Sequence, residues 1–168
     1  GELGAALGMR VVVSDPFAQA VAAPATLLPL EQLLPQADHV VCLAPANAQT
    51  ENLMDAGRFA AMKPDAFFIN ASRGELVDEA ALLQALDAGR LAGCAIDVGR
   101  APDQMPSPAL ARHPLVLATP HIAGLTPEAA EHQSRETVAQ LTELLARRMP
   151  VGALNPAQAT RLHLLPAA

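Results

Sequence analysis

Residues 67–83, FFINASRGELVDEAALL, narrow what this chain can fold into more than any other stretch. A compact apolar run bounded by Pro64 and Asp65 gives way to a short polar loop, after which leucines fall at Leu82, Leu83 and Leu86. The first part reads as a buried strand and the last follows the 3.6-residue period of a helix. Asp78 stands where its carboxylate caps that helix. The same unit recurs along the chain. Apolar runs at residues 10–14, 39–43, 91–98 and 114–118 alternate with helical stretches at 30–34, 55–62 and 78–88. Strands alternating with helices at this spacing predict an α/β fold with a parallel sheet wound on both faces.

Composition narrows the function classes. Hydrophobic residues make up 51% of the 168-residue chain and charged residues 17%, which is the balance of a folded protein. Aromatics are only 2%, with no Trp or Tyr, so the stacking platforms used by single-stranded nucleic acid are missing. A net charge of −6 disfavours a phosphate backbone as partner. No apolar run reaches the roughly 20 residues of a membrane span. Cys42 and Cys94 are isolated, both fall in expected strands, and nothing at the start has a targeting layout. The expectation is a cytoplasmic protein with reduced core cysteines and neither a nucleic-acid nor a membrane partner. His113, His132 and His163 lie at no metal-ligand spacing, so no metal site is expected.

The candidate chemistry sits where strands end. Asn70, Ser72 and Arg73 follow one strand, and open α/β sheets bind ligands beyond the carboxyl ends of their strands. Asp15-Pro16 closes the first strand, Asp97-Val98 closes the run from Leu91, and Thr119-Pro120-His121 follows the last strand. On its own, Asp15-Pro16 reads as a turn starter.

In order along the chain, Ile69-Asn70-Ala71-Ser72-Arg73-Gly74-x-Leu76-Val77-Asp78-Glu79, Ala95-Ile96-Asp97-Val98 and Thr119-Pro120-His121-Ile122-x-Gly124 resemble the nucleotide-binding region of the D-isomer-specific 2-hydroxyacid dehydrogenases. The resemblance runs from about Met9 to Asn155 and implies a Rossmann-type NAD-binding domain. It makes Asp15 the acid that meets the adenosine ribose, and an acid there, with no Arg close behind, favours NAD over NADP. It places the loop of Pro45 and Thr50 beside the nicotinamide ribose, Asn70, Ser72 and Gly124 among the cofactor contacts, and Asp97 at the carboxamide. Arg73 is implied to hold the substrate carboxylate, for which a planar guanidinium that keeps its charge is suited. His121 is implied to exchange the alcohol proton, since imidazole titrates near neutral pH.

One feature of the resemblance is broken. The family carries a glutamate a few residues after Asp-Val, paired with the histidine, and here Pro102 stands in its place. Asp103 is the one carboxylate of that loop and is the candidate replacement; the alternative, that it caps a turn, stays open. The missing glutamate also leaves open a non-catalytic NAD-binding sensor or interaction module, or an inactive fragment. The expected substrate is a small D-2-hydroxy or 2-keto acid and the expected assembly a homodimer.

Counting back about 20 residues from Asp15 for the phosphate-cradling glycines passes the front of the chain, so the first strand and that cradle are expected outside it. The expected layout is a partial dinucleotide-binding domain over residues 1–123, then a helix and tail over 124–168 that belong to or contact a substrate domain. Within the helix, Ala130, Val138, Leu141, Leu144 and Leu145 suggest one buried stripe, and 150–168 reads as a mobile tail.

Overall fold

The computed structural model describes residues 1–153 and 156–158. These fall into two compact units, Gly1–His121 and Ile122–Ala168. His163 and most of the expected tail lie outside the described residues.

In the first unit, helix α1 (Glu2–Ala6) ends at Gly8, whose φ of +82° suits glycine alone. Strand β1 (Val12–Val13) pairs in parallel with β2 (Thr26–Leu27) as a two-stranded sheet. The Pro- and Ala-rich segment 22–29 reads from sequence as a plain connection. It instead holds β2, a strand of two residues, too short for periodicity to register.

The main sheet is β3 (His39–Cys42), β4 (Phe67–Asn70), β5 (Gly93–Ile96) and β6 (Val116–Ala118), all parallel and in chain order. Its register aligns Cys42, Asn70, Ile96 and Ala118 in one row, so all four strands end at one rim. Helices α2 (Leu30–Leu33), α3 (Ala56–Ala61), α4 (Glu79–Asp87) and α5 (Pro108–Ala111) lie in the connections. Asp78 caps α4 by accepting from the Ala81 N–H, and Asp55 caps α3 through the Arg58 N–H. Pro102, Pro106 and Pro108 make the segment after β5 read as a loop from sequence, but α5 forms in it, with Ser107 as cap and Pro108 in its first turn.

Parallel sheets hide apolar residues where helices cover them, and here one face is covered. Val40, Cys42, Phe68, Cys94 and Ile96 are buried with Phe59 of α3, Leu82 and Leu86 of α4 and Leu110 of α5. Phe59 meets Phe68 edge to face at 5.3 Å. On the other face Val41 is 54% and Leu117 70% exposed. Right-handed crossovers between strands laid down in one direction put every connecting helix on the same side, which accounts for the asymmetry. The architecture is thus a parallel-strand sheet with flanking helices, partial in that one face is open.

The second unit holds α6 (Pro127–Leu145), capped by Thr126 with Pro127 in its first turn, as the sequence indicates. Its apolar stripe is not buried: Val138, Leu141 and Leu145 are exposed, Ala130 is exposed, and Leu144 is half-buried. Periodicity shows which face of a helix is apolar but not whether another element covers it. No helix of the described residues is long and apolar enough to cross a membrane.

Candidate active site

The rim where the four strands end collects most of the residues that the sequence singles out. The strand–loop–helix unit after β4 is built around Asn70, whose side chain is buried. Its Nδ2 donates to the Arg73 carbonyl at 2.9 Å and its Oδ1 accepts from the Ser72 N–H at 3.1 Å. Asn70 therefore shapes the loop from beneath. Ser72 ties it to the loop after β3, its hydroxyl donating to the Ala44 carbonyl at 2.7 Å. Arg73, extended at φ −144°, is exposed, and its Nη1 donates to the Ser72 carbonyl at 2.8 Å.

Two strands away, His121 follows β6 by three residues, as Arg73 follows β4. Parallel strands stand about 4.8 Å apart, so the two loops leave the sheet about 10 Å from each other, with β5 between. His121 is half-buried and has φ +55°, a region a non-glycine residue seldom occupies and which collects at functional sites. Its N–H donates to the Thr119 carbonyl at 3.0 Å.

Between the two loops, at the end of β5, Asp97 is 6% exposed and accepts from the Thr119 hydroxyl at 2.5 Å. A buried carboxylate at the rim, oriented by the Thr119 hydroxyl, is of the chemistry that meets an amide or hydroxyl of a ligand. Thr119 is a contributor to which sequence reading assigns no role of its own. Residues 97 and 119 are joined by no periodicity, and only the strand order makes them neighbours.

The remaining candidates are placed as follows. The Thr50 hydroxyl donates to the Pro45 carbonyl at 2.6 Å and accepts from the Asn47 N–H, so this pair closes the loop after β3. Asp15 is exposed at the end of β1 and its carboxylate accepts from the Phe17 N–H at 2.9 Å. Asp103, also exposed, accepts from the Met105 N–H at 3.0 Å, the bond expected of a turn-capping aspartate. Gly124 lies in the second unit, where a Cβ would meet nothing within 4 Å. Among the described residues no group of three or more His, Cys, Asp or Glu could hold a metal ion.

The residues present fit two parts of NAD: a buried rim carboxylate and hydrogen-bonding groups on the loops after β3 and β4 suit the nicotinamide side, and the exposed acid closing β1 suits the adenosine ribose. A glycine-rich turn joining a strand to a helix, which would cradle the pyrophosphate, is not among the described residues.

Known proteins share this arrangement. Residues 1–123 match the family described as D-isomer specific 2-hydroxyacid dehydrogenase, NAD binding domain. D-3-phosphoglycerate dehydrogenase 1 of Saccharomyces cerevisiae is 34% identical over 166 residues, covering 91% of this chain and 35% of the yeast protein. Glyoxylate/hydroxypyruvate reductase B of Escherichia fergusonii is 39% identical over 128 residues, covering 76% of this chain and 39% of that protein. The crystal structure of D-lactate dehydrogenase with NAD+ from Lactobacillus jensenii matches with a TM-score of 0.77 at 29% identity, over 89% of this chain and 49% of that one. The chain thus spans about 35% to 49% of the length of these relatives. With its fold shared and residues 1–123 matched, this chain belongs to the D-isomer specific 2-hydroxyacid dehydrogenase family, through the NAD-binding domain of that family.

Proposed function

We propose that this chain is the nucleotide-binding part of an NAD-dependent oxidoreductase acting on the CH–OH group of a small D-2-hydroxy acid, or on the matching 2-keto acid in reverse. The observation that carries the reading is the shared rim, with the Arg73 and His121 loops on either side of Asp97. Bound NAD supplies the hydride acceptor. The chain's own residues do the rest. Arg73 holds the substrate carboxylate with its planar fork. His121 takes the alcohol proton on oxidation and returns it on reduction. Asp97 holds the carboxamide, Asp15 the adenosine ribose, the loop of Pro45 and Thr50 passes the nicotinamide ribose, and Asn70, Ser72 and Gly124 complete the cofactor contacts. Asp103 stands in for the family glutamate beside His121. We further propose residues 1–123 as the dinucleotide-binding part, 124–168 as the portion that meets a substrate domain, a homodimer as the assembly, and the cytoplasm as the location.

The test, made on the complete protein of which this chain is the nucleotide-binding part, is NADH oxidation with glyoxylate, hydroxypyruvate, pyruvate or 3-phosphohydroxypyruvate, together with NAD binding by calorimetry; these residues alone are expected to be inactive. Turnover with one of these acids, lowered roughly ten- to a hundredfold in kcat/KM by Arg73→Lys, is the expected result. A second reading is favoured by one observation, the Asp103 carboxylate already bonded to Met105 N–H with Pro102 in place of the glutamate. On that reading the fold binds NAD as a sensor or interaction module, and NAD binding without turnover of any of the acids is its signature.

A further inference from the structure

We infer that Arg100 is a positioning residue that holds the Arg73-bearing turn in place at the rim; its effect on ligand binding rests on the carboxylate role proposed for Arg73. Arg100 follows β5 by four residues, and its side chain is only 34% exposed. Every nitrogen of the guanidinium has an acceptor. Nε donates to the Val77 carbonyl at 3.0 Å, Nη1 to Glu51 Oε1 at 2.7 Å, and Nη2 to both Asn52 Oδ1 at 2.5 Å and the Glu75 carbonyl at 2.7 Å. The Arg100 N–H itself donates to Glu79 Oε1 in the first turn of α4, at 3.0 Å.

These acceptors belong to a short lattice that begins one residue after Arg73. The turn Gly74–Leu76 is a single turn of 3-10 helix. The Asn52 N–H donates to the Glu75 carbonyl at 2.8 Å, the Met54 N–H to the Leu76 carbonyl at 2.8 Å, and the Asp78 N–H to the Met54 carbonyl at 3.0 Å. Asn52 sits at φ +52°, a conformation that persists where surrounding bonds enforce it. The loop after β5 joins this lattice by close backbone contact. A Cβ on Gly74 would fall 2.2 Å from the carbonyl carbon and oxygen of Gly99, so the residue after Arg73 lies flat against the residue before Arg100. Asn70 fixes Arg73 from one side through its carbonyl, and the Gly74–Leu76 turn under Arg100 fixes it from the other.

The bland account is a surface ion pair with Glu51, and such pairs contribute little. Against it, three of the four side-chain acceptors are uncharged: two carbonyls and one amide oxygen. Reaching acceptors in several directions within one plane suits a guanidinium and not the point charge of a lysine.

The experiment uses the 15N-labelled full chain with NADH and oxalate, a two-carboxylate mimic of a 2-keto acid. Amide exchange at Asn52 and Val77 reports the lattice, the Asp97 amide, bonded to the Asn70 carbonyl at 3.0 Å, serves as the sheet control, and the Arg73 Nε signal reports oxalate. In Arg100→Met, exchange at Asn52 and Val77 is expected to rise about tenfold with Asp97 unchanged. Oxalate affinity at Arg73 is expected to fall about fivefold while NADH affinity stays within about twofold. Arg100→Lys, which keeps the charge and gives a second variant if Arg100→Met does not fold, is expected to recover only part of both. Glu51→Gln is expected to match the wild type. Wild-type exchange and oxalate affinity in Arg100→Met, full recovery by Arg100→Lys, or damage from Glu51→Gln equal to that from Arg100→Met would each overturn the inference. Should the wild-type chain show no oxalate response while the exchange arm behaves as expected, the clamp stands and the carboxylate role of Arg73 is what fails.

Discussion

Asn70 shows how one buried amide can organise a loop whose functional side chain is its neighbour. Both polar atoms of its side chain are used within residues 70–73, so Asn70→Ala leaves the Ser72 N–H and the Arg73 carbonyl to find water or nothing. The expected cost is roughly 1–3 kcal/mol, read as a lower urea midpoint at unchanged slope. Cys94 gives a prediction of a different kind. Burial pushes its thiol from 9.0 up to about 12, so the folded state keeps a proton that the unfolded chain gives up. The stability linked to this group is whole below pH 9 and is lost as pH rises toward 12, at roughly 1.4 kcal/mol per pH unit. Denaturant titrations across that window should show the slope in the wild type and a shallower one in Cys94→Ala, with a remainder from Cys42, whose thiol burial also raises. At this scale the sequence offers Arg73, Asp97 and His121 as candidates because they lie in recognisable motifs. It did not supply Arg100, whose acceptors lie 21 to 49 residues away and are set by the strand order alone.

Elements were legible where a local signal carries them. The carboxylate of Asp78 and the hydroxyl of Thr126, each ahead of an apolar period, mark helix starts that the structure keeps at 3.1 and 3.2 Å. Asp78→Ala should cost about 1 kcal/mol of unfolding free energy, because it orphans the Ala81 N–H. Ser107-Pro108 carries the same kind of signal for α5, hidden among prolines that read as loop. What local pattern cannot convey is coverage. Both faces of the main sheet are apolar, yet Phe68 is fully buried and Leu117 is 70% exposed. The consequence is a sharp contrast between two truncations in one sheet. Phe68→Ala should destabilise by about 3–5 kcal/mol, while Leu117→Ala should stay within about 0.5 kcal/mol. Equal losses from chemical denaturation would mean that the open face is covered in solution.

At the scale of the whole molecule, the sheet is in two parts. Doubly wound nucleotide-binding sheets reverse their strand order at the centre, with the first strand at the reversal. In chain order, the parallel pair β1 and β2 and the parallel run β3 to β6 match the two wings of such a sheet. The wings are unequally supported. The β1–β2 wing is held by Thr26 N–H to the Val11 carbonyl at 3.0 Å and Leu28 N–H to the Val13 carbonyl at 2.9 Å, with no fully buried strand residue. A two-stranded pair of this length is marginal by itself. The larger wing has Cys94 N–H on the Leu115 carbonyl and Asp97 N–H on the Asn70 carbonyl, above a core of Phe59, Phe68 and Leu82. Local opening should therefore begin in the smaller wing. Hydrogen exchange is expected to show Thr26 and Leu28 protected about a hundredfold less than Cys94 and Asp97, a difference of about 2.7 kcal/mol in opening free energy. Equal protection in both wings would mean that the sheet opens as one cooperative body. Because Asp15 closes β1, the proposed ribose contact would then rest on the stable part of the fold instead of on the part that opens first.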